Sequence, residues 1–232
     1  MKLQEIHEVE QGIRPPESLK MTLEEFLEHD VEGYEYIDGK LVPKSPPLPP
    51  EMRSIPTTMT LEEFLEHDVE GYEYVKGELV PMVPPSREHG EISVNVIHYL
   101  YMHVYQQKLG RLYTAETTFQ IGERTAKPDV AFVSTARLTG DKTKGFSIPP
   151  DLAIEVVSPA DVQSRVAAKA LAYLKAGTHL VWVLEPVSKT VTVYRSETDI
   201  ETLTHNNTLT GEDVVPGFSC PIAHLFDSLL YL

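Results

Sequence analysis

The sequence predicts an α/β (α+β) fold, with a central mixed β-sheet flanked by helices. Three observations predict it. The order strand, helix, strand over 152–184 reads as a parallel crossover. Three closely joined apolar segments, 111–121, 128–133 and 151–157, read as an antiparallel meander. Residues 87–108 read as a long amphipathic helix, with Ile92, Val96, Leu100 and Val104 at fourfold spacing.

At the N-terminal end lies an internal repeat. Residues 21–43 (MTLEEFLEHDVEGYEYIDGKLVP) and 59–81 (MTLEEFLEHDVEGYEYVKGELVP) match at 20 of 23 positions, at an offset of 38. They differ at Ile37/Val75, Asp38/Lys76 and Lys40/Glu78. Two copies are too few for a solenoid, so the pattern is a tandem duplication. Each copy reads as a helix followed by a hairpin. In the second, Thr60 and Glu63 form a capping box, and Leu61, Phe64 and Leu65 form a short apolar stripe. Lys76-Gly77 then turns between two short strands, where the first copy has the better turn pair Asp38-Gly39.

Residues 43–58 between the copies are proline-rich and read as an extended linker. The expected organisation is therefore an extension, 1–58, carrying the extra copy, and a main domain, 59–232. Both copies cannot fill one place on one core, and the copy contiguous with the main domain is expected to take it.

The remaining elements follow in order. Gly110 is the expected stop of the long helix. After the meander, Ser158-Pro159 opens a second helix, with Asp161 at the capping-box position and Gly177 as its stop. Strands over 179–186 and 190–195 and a short last strand before PGFSCPIAHLF complete the chain.

Composition sets the class. The hydrophobic share is 41% and the charged share 24%, as in a soluble globular protein. No apolar run reaches the roughly 18 residues of a spanning helix, and the N-terminus has no apolar signal core. The single cysteine, Cys220, excludes a disulfide framework and a CxxC zinc site. A reducing cytoplasm is the expected compartment. The net charge is −15, of which −6 falls in 1–58, −6 in 59–83 and only −3 in the rest. That balance argues against strong non-specific DNA binding but leaves the main domain nearly neutral. The acidic first copy could shield a DNA groove.

Two carboxylates stand where carboxylates are costly. Asp129 follows Pro128 at the start of an apolar strand, and Glu155 interrupts another, with Ile154 and Val156 on either side. Alternation puts Glu155 on the face of Ala153 and Val157. If the two strands are neighbours, both acids reach one hard cation, Mg2+ or Mn2+, which could prepare a hydroxide and steady a phosphodiester leaving group. Lys169 on the following helix, with Arg165 and Tyr173 one turn to either side, could stabilise the charge that develops. Each has an ordinary reading beside this one: a turn pin for Asp129, a buried pair for Glu155, a solvated helix face for Lys169 and Arg165. His89 before the long helix and Glu73 in the second copy either line the site or make structural hydrogen bonds. Trp182 is core, and Tyr99, Tyr101 and Tyr105 serve packing or subunit contact.

Asp129 in PD, Glu155 in IEVVSP, and Lys169 and Tyr173 in KALAYLKAGTHLVWVLEP resemble the Uma-type family of putative restriction endonucleases abundant in cyanobacteria, within the PD-(D/E)XK nuclease superfamily. MTLEEFL, YEYVKGELV, PPSREHG around His89 and LTGEDVVPGF extend the resemblance over about residues 59–226. It implies a restriction-endonuclease-like core and a magnesium-dependent DNA endonuclease with Asp129, Glu155 and Lys169 as its site. By analogy with restriction enzymes it also implies a homodimer. The chain departs from the superfamily pattern at Val157, where a lysine usually follows the glutamate by two residues. The resemblance places that lysine on the helix, at Lys169. The second departure is the duplicated N-terminal unit. The competing expectation is a catalytically inactive nuclease fold that serves as a binding or regulatory module.

Overall fold

A computed structural model describes residue 22 and residues 34–37, 40–43, 54–67, 69–82, 85–158 and 163–227. The elements, in chain order, are β1 (Tyr34–Ile37), β2 (Lys40–Pro43), β3 (Ile55–Pro56), α1 (Leu61–His67), β4 (Tyr72–Val75), β5 (Glu78–Pro81), α2 (Arg87–Gln107), β6 (Gly110–Thr114), β7 (Phe119–Ile121), β8 (Arg124–Ala126) and β9 (Val130–Ser134). They continue with β10 (Leu152–Val156), α3 (Gln163–Ala176), β11 (Leu180–Glu185), β12 (Thr190–Tyr194), β13 (Ile200–Leu203), β14 (Thr208–Thr210), β15 (Ser219–Pro221) and α4 (Ala223–Phe226).

The chain divides into two units between Glu51 and Met52. In the first, β1 and β2 pair antiparallel from Tyr34↔Pro43 to Ile37↔Lys40. The helix expected before this hairpin lies outside the described residues.

The second unit is mixed α/β. Its main sheet runs β13-β12-β11-β10-β9-β6. Only β10 and β11 are parallel, joined through α3 as the crossover reading requires. The β6, β9 and β10 strands form the expected antiparallel meander. Alternation along β10 assigns its two faces. Leu152, Ile154 and Val156 pack with Ile92, Val96, Leu100 and Val104 of α2. Ala153 packs with Ala170 and Tyr173 of α3. Trp182 is buried in the α2 layer, stacked on Phe218 at 5.8 Å, and among the described residues its indole N–H has no hydrogen-bond partner. Cys220 is buried in the same layer, and burial pushes its thiol up to about 11.

A second sheet, β3-β5-β4-β8-β7, carries the second repeat copy. The capping box forms in full: Glu63 N–H donates to Thr60 Oγ1 at 3.2 Å, and Thr60 N–H to Glu63 Oε2 at 2.8 Å. Lys76 and Gly77 both take positive φ, 49° and 86°, as a two-residue hairpin turn demands. Ile55 and Pro56, in the segment read as linker, pair with Leu79 and Glu78 as an added edge strand.

Two expectations are corrected. The segment 111–121 is not one strand. Thr117 N–H donates to Thr114 O at 2.9 Å, and the turn sends β6 to the main sheet and β7 to the second. The long helix ends at Lys108 in the left-handed conformation (φ 56°), not at Gly110. Gly110 serves close approach instead: a Cβ there would lie 2.1 Å from Val133 O.

Candidate active site

Glu155 projects from β10 toward α3, on the same face as Ala153. Tyr173 donates its hydroxyl to Glu155 Oε1 at 2.8 Å, and Lys169 donates to Glu155 Oε2 at 3.1 Å. These two α3 residues lie four apart, one helical turn, so one helix face addresses one carboxylate. The Lys169 ammonium also meets Glu73 Oε1 of β4 at 2.8 Å. The same Glu73 Oε1 accepts from the backbone N–H of Lys127 at 3.2 Å, and Arg124 of β8 holds Oε2 at 3.1 Å.

Asp129 stands just before β9. The β9–β10 register runs Leu152↔Phe132, Ala153↔Ala131, Ile154↔Val130. One further step brings Asp129 opposite Glu155, on the same face of the sheet. Asp129 Oδ2 accepts from Val156 N–H at 2.7 Å and lies 3.1 Å from His89 Nε2 at the start of α2.

The structure thus brings together six of the seven residues singled out in the sequence: Glu73, His89, Asp129, Glu155, Lys169 and Tyr173. The seventh, Arg165, is exposed near the start of α3. Arg124 and Lys127 belong to the cluster and escape the sequence reading. Their signal is two basic residues just before PD in RTAKPD.

The electrostatics follow from burial. Glu155 is only 12% exposed, and burial raises it to about 7. Lys169 opposes that rise, while the charges of Asp129 and Glu73 add to it. Glu73 also loses water, but Lys169, Arg124 and the Lys127 N–H outweigh the burial and hold it below the usual carboxylate range. Burial alone would discharge Lys169, yet Glu155 and Glu73 keep its ammonium charged well past neutrality.

These residues fit a hard divalent cation. Asp129 and Glu155 are oxygen donors on adjacent strands, opposite one another on one face of the sheet. Among the described residues no group of three or more His, Cys, Asp or Glu forms a complete metal cage. An ion here would fill its shell with water and substrate oxygens, as Mg2+ ordinarily does. A cleft of about 950 Å3 between α1 and the loop 138–148 shares no lining residue with the cluster, so chemistry rather than cavity size locates the site.

The Uma2 family model, described as putative restriction endonuclease, matches residues 58–223. The chain belongs to that family. A crystal structure of a putative nuclease from Anabaena variabilis is similar over 72% of this chain and 97% of its own, at 26% identity and a TM-score of 0.65. No curated protein matches the chain significantly. Family membership points to nuclease function and to a nuclease-like fold. No helix among the described residues is long and apolar enough to cross a membrane.

Proposed function

We propose that the chain is a metal-dependent endonuclease hydrolysing DNA phosphodiester bonds, with Asp129, Glu155 and Lys169 as its catalytic set. The observation that carries this reading is a largely buried Glu155 opposite Asp129, bound to a lysine from the helix packed over that face. Asp129 and Glu155 would hold Mg2+ or Mn2+. Such an ion supplies positive charge at the scissile phosphate and acidifies a water for in-line attack. The protein's own groups set the stage. His89 and the Val156 N–H orient Asp129, and Tyr173 orients Glu155. Glu73, clamped by Arg124, fixes the Lys169 ammonium, which stays charged and so stabilises anionic phosphate rather than taking a proton. Duplex DNA is the proposed substrate, and a homodimer with two sites is the arrangement that would cut both strands.

The test is cleavage of plasmid and linear DNA by purified protein with Mg2+ or Mn2+. Cleavage lost in Asp129→Ala and Glu155→Ala supports the assignment. Folded protein that cuts nothing with either metal, or variants that still cut, would refute it.

A second reading, an inactive nuclease fold acting as a binding or regulatory module, has its own support. Val157 stands in the usual lysine position, and every carboxylate of the cluster already has a partner. Calorimetric Mg2+ binding that disappears in Asp129→Asn favours the nuclease; no binding in the parent favours the module.

A further inference from the structure

Helix α2 buries one face and leaves another bare. Ile92, Val96, Leu100 and Val104 turn inward to the main sheet. Glu91, Val94, His98, Tyr101, Tyr105 and Lys108, spaced three, four, three, four and three residues apart, are all exposed. That spacing keeps them in one row along the helix, as a helix–helix seam requires. Of the seven large apolar side chains left exposed among the described residues, four stand on this side of α2: Val94 (64%), Tyr101 (51%), Met102 (49%) and Tyr105 (64%). The Tyr101 and Tyr105 rings stack at 5.8 Å and 17°, which makes a flat apolar wall.

Charge is missing from the same face. Residues 92–107 hold no Asp, Glu, Lys or Arg, although such residues make up 24% of the chain. A solvated helix face of this length would carry several. Tyrosine and methionine with few charges is the composition of an interface centre. The lack of Lys and Arg argues against phosphate as the occupant, whether from nucleic acid or from lipid headgroups.

The charges that remain stand at the two ends and are of opposite sign. Glu88 and Glu91 lie in the first turns, and Lys108 caps the other end. A second α2 lying antiparallel across a twofold axis at His98 would meet this pattern at every step. Glu88 of each copy would face Lys108 of the other, Glu91 would face the Tyr105 hydroxyl, and Val94 would face Met102, because each pair is equidistant in sequence from His98. The helix dipoles would also oppose one another. A parallel pair would set Glu88 on Glu88 and Lys108 on Lys108. The face complements itself in one orientation, which argues for a second copy rather than an unlike partner.

We propose that α2 is the homodimer seam of this protein, with two copies packed antiparallel about an axis at His98. The second copy is the partner that the proposed function calls for, and the seam rests on that reading for nothing else. At 1.5 Å per residue the seam is about 30 Å long, and it sets the two His89 residues about 27 Å apart along it. Each cluster around His89 draws its side chains from one copy, so the seam spaces two sites and builds neither.

Sedimentation of the full chain reads association and not cleavage, so a failure here and a failure of the catalytic reading are told apart. At tens of micromolar the parent should be a dimer. Glu88→Lys and Lys108→Glu should each weaken dimerisation by about tenfold, since each turns two attractions into two repulsions. The double swap should restore it. Tyr105→Asp should leave a folded monomer, because the side chain it replaces is exposed. A monomeric parent, a dimer indifferent to these substitutions, or charge swaps whose losses add in the double overturns the proposal.

Cross-linking reads the register, because the native Cys220 is buried. Under mild oxidation with diamide, His98→Cys should form a disulfide between two copies, since the axis brings that position against itself. Val94→Cys should not, because its two positions lie about 12 Å apart along the seam, beyond disulfide reach. Val94→Cys combined with Met102→Cys should link again. Val94→Cys linking alone, or no link in any variant, overturns the proposal.

Discussion

Replacing Glu155 by glutamine should change the pH dependence of stability more than any other single substitution in the cluster. Glu155 is raised to about 7 from an ordinary 4.5. Between those values the unfolded chain releases this proton while the folded chain keeps it. Rising pH therefore favours unfolding over that window, by about 1.4 kcal/mol per pH unit and ~3 kcal/mol in all. Below 4.5 the acid is neutral in both states and the penalty is absent; above 7 it is complete. Glutamine has no proton to release, so Glu155→Gln removes the window. It can still accept the Tyr173 hydroxyl, and Lys169 keeps Glu73. The difference in unfolding free energy, variant minus parent, should grow by ~3 kcal/mol from pH 4.5 to 7.5, or ~6–12 °C in melting temperature. Urea titrations of both proteins across that range measure it. Parallel stability curves from pH 5 to 8 would show that burial of Glu155 does not govern its ionisation, and the reasoning would fail. Added Mg2+ at pH 8 should raise the melting temperature of the parent and leave Glu155→Gln unmoved.

Asp129→Asn should keep the Val156 N–H bond through its amide oxygen, so stability should move by less than ~1 kcal/mol while DNA cleavage falls at least ~100-fold; a variant that cuts at the parental rate removes Asp129 from the site. Gly110→Ala would push a Cβ to 2.1 Å from Val133 O and 2.9 Å from Ser134 Cα, both backbone, and should cost more than ~3 kcal/mol in chemical denaturation. Lys108→Gly relieves a left-handed residue at the end of α2 and should gain ~0.5 kcal/mol, the strain removed less the entropy glycine adds to the unfolded chain; a loss of stability would contradict the cap assignment.

The parallel crossover was legible because a buried strand, a helical segment and a second buried strand follow in short order, with Gly177 (φ 105°) marking the stop; the expected opening at Pro159 and Asp161 lies outside the described residues. Glu155 was legible for a different reason: one charge inside LAIEVV has few explanations other than a partner. The second sheet was not. Residues 115–117 contain neither glycine nor proline, so nothing local announces the turn that parts β6 from β7. Gly110 misled as a helix stop because the demand on it comes from β9, a contact across more than 20 residues of chain. The same distance hid Arg124: its partner Glu73 lies 51 residues earlier, and no spacing rule connects a hairpin tip to a repeat unit. Local pattern revealed which side chains were expensive to bury; only the assembled sheets showed who neutralises them.

The lone indole of Trp182 gives the molecule a built-in optical probe. Its fluorescence answers to the layer between the main sheet and α2, and is silent about the sheet that carries Glu73. Emission and far-ultraviolet circular dichroism, recorded in the same melt, therefore view different parts of the second unit. Coincident traces would show both sheets failing together, whereas an early dichroic loss at constant emission would reveal the repeat-bearing sheet peeling away first.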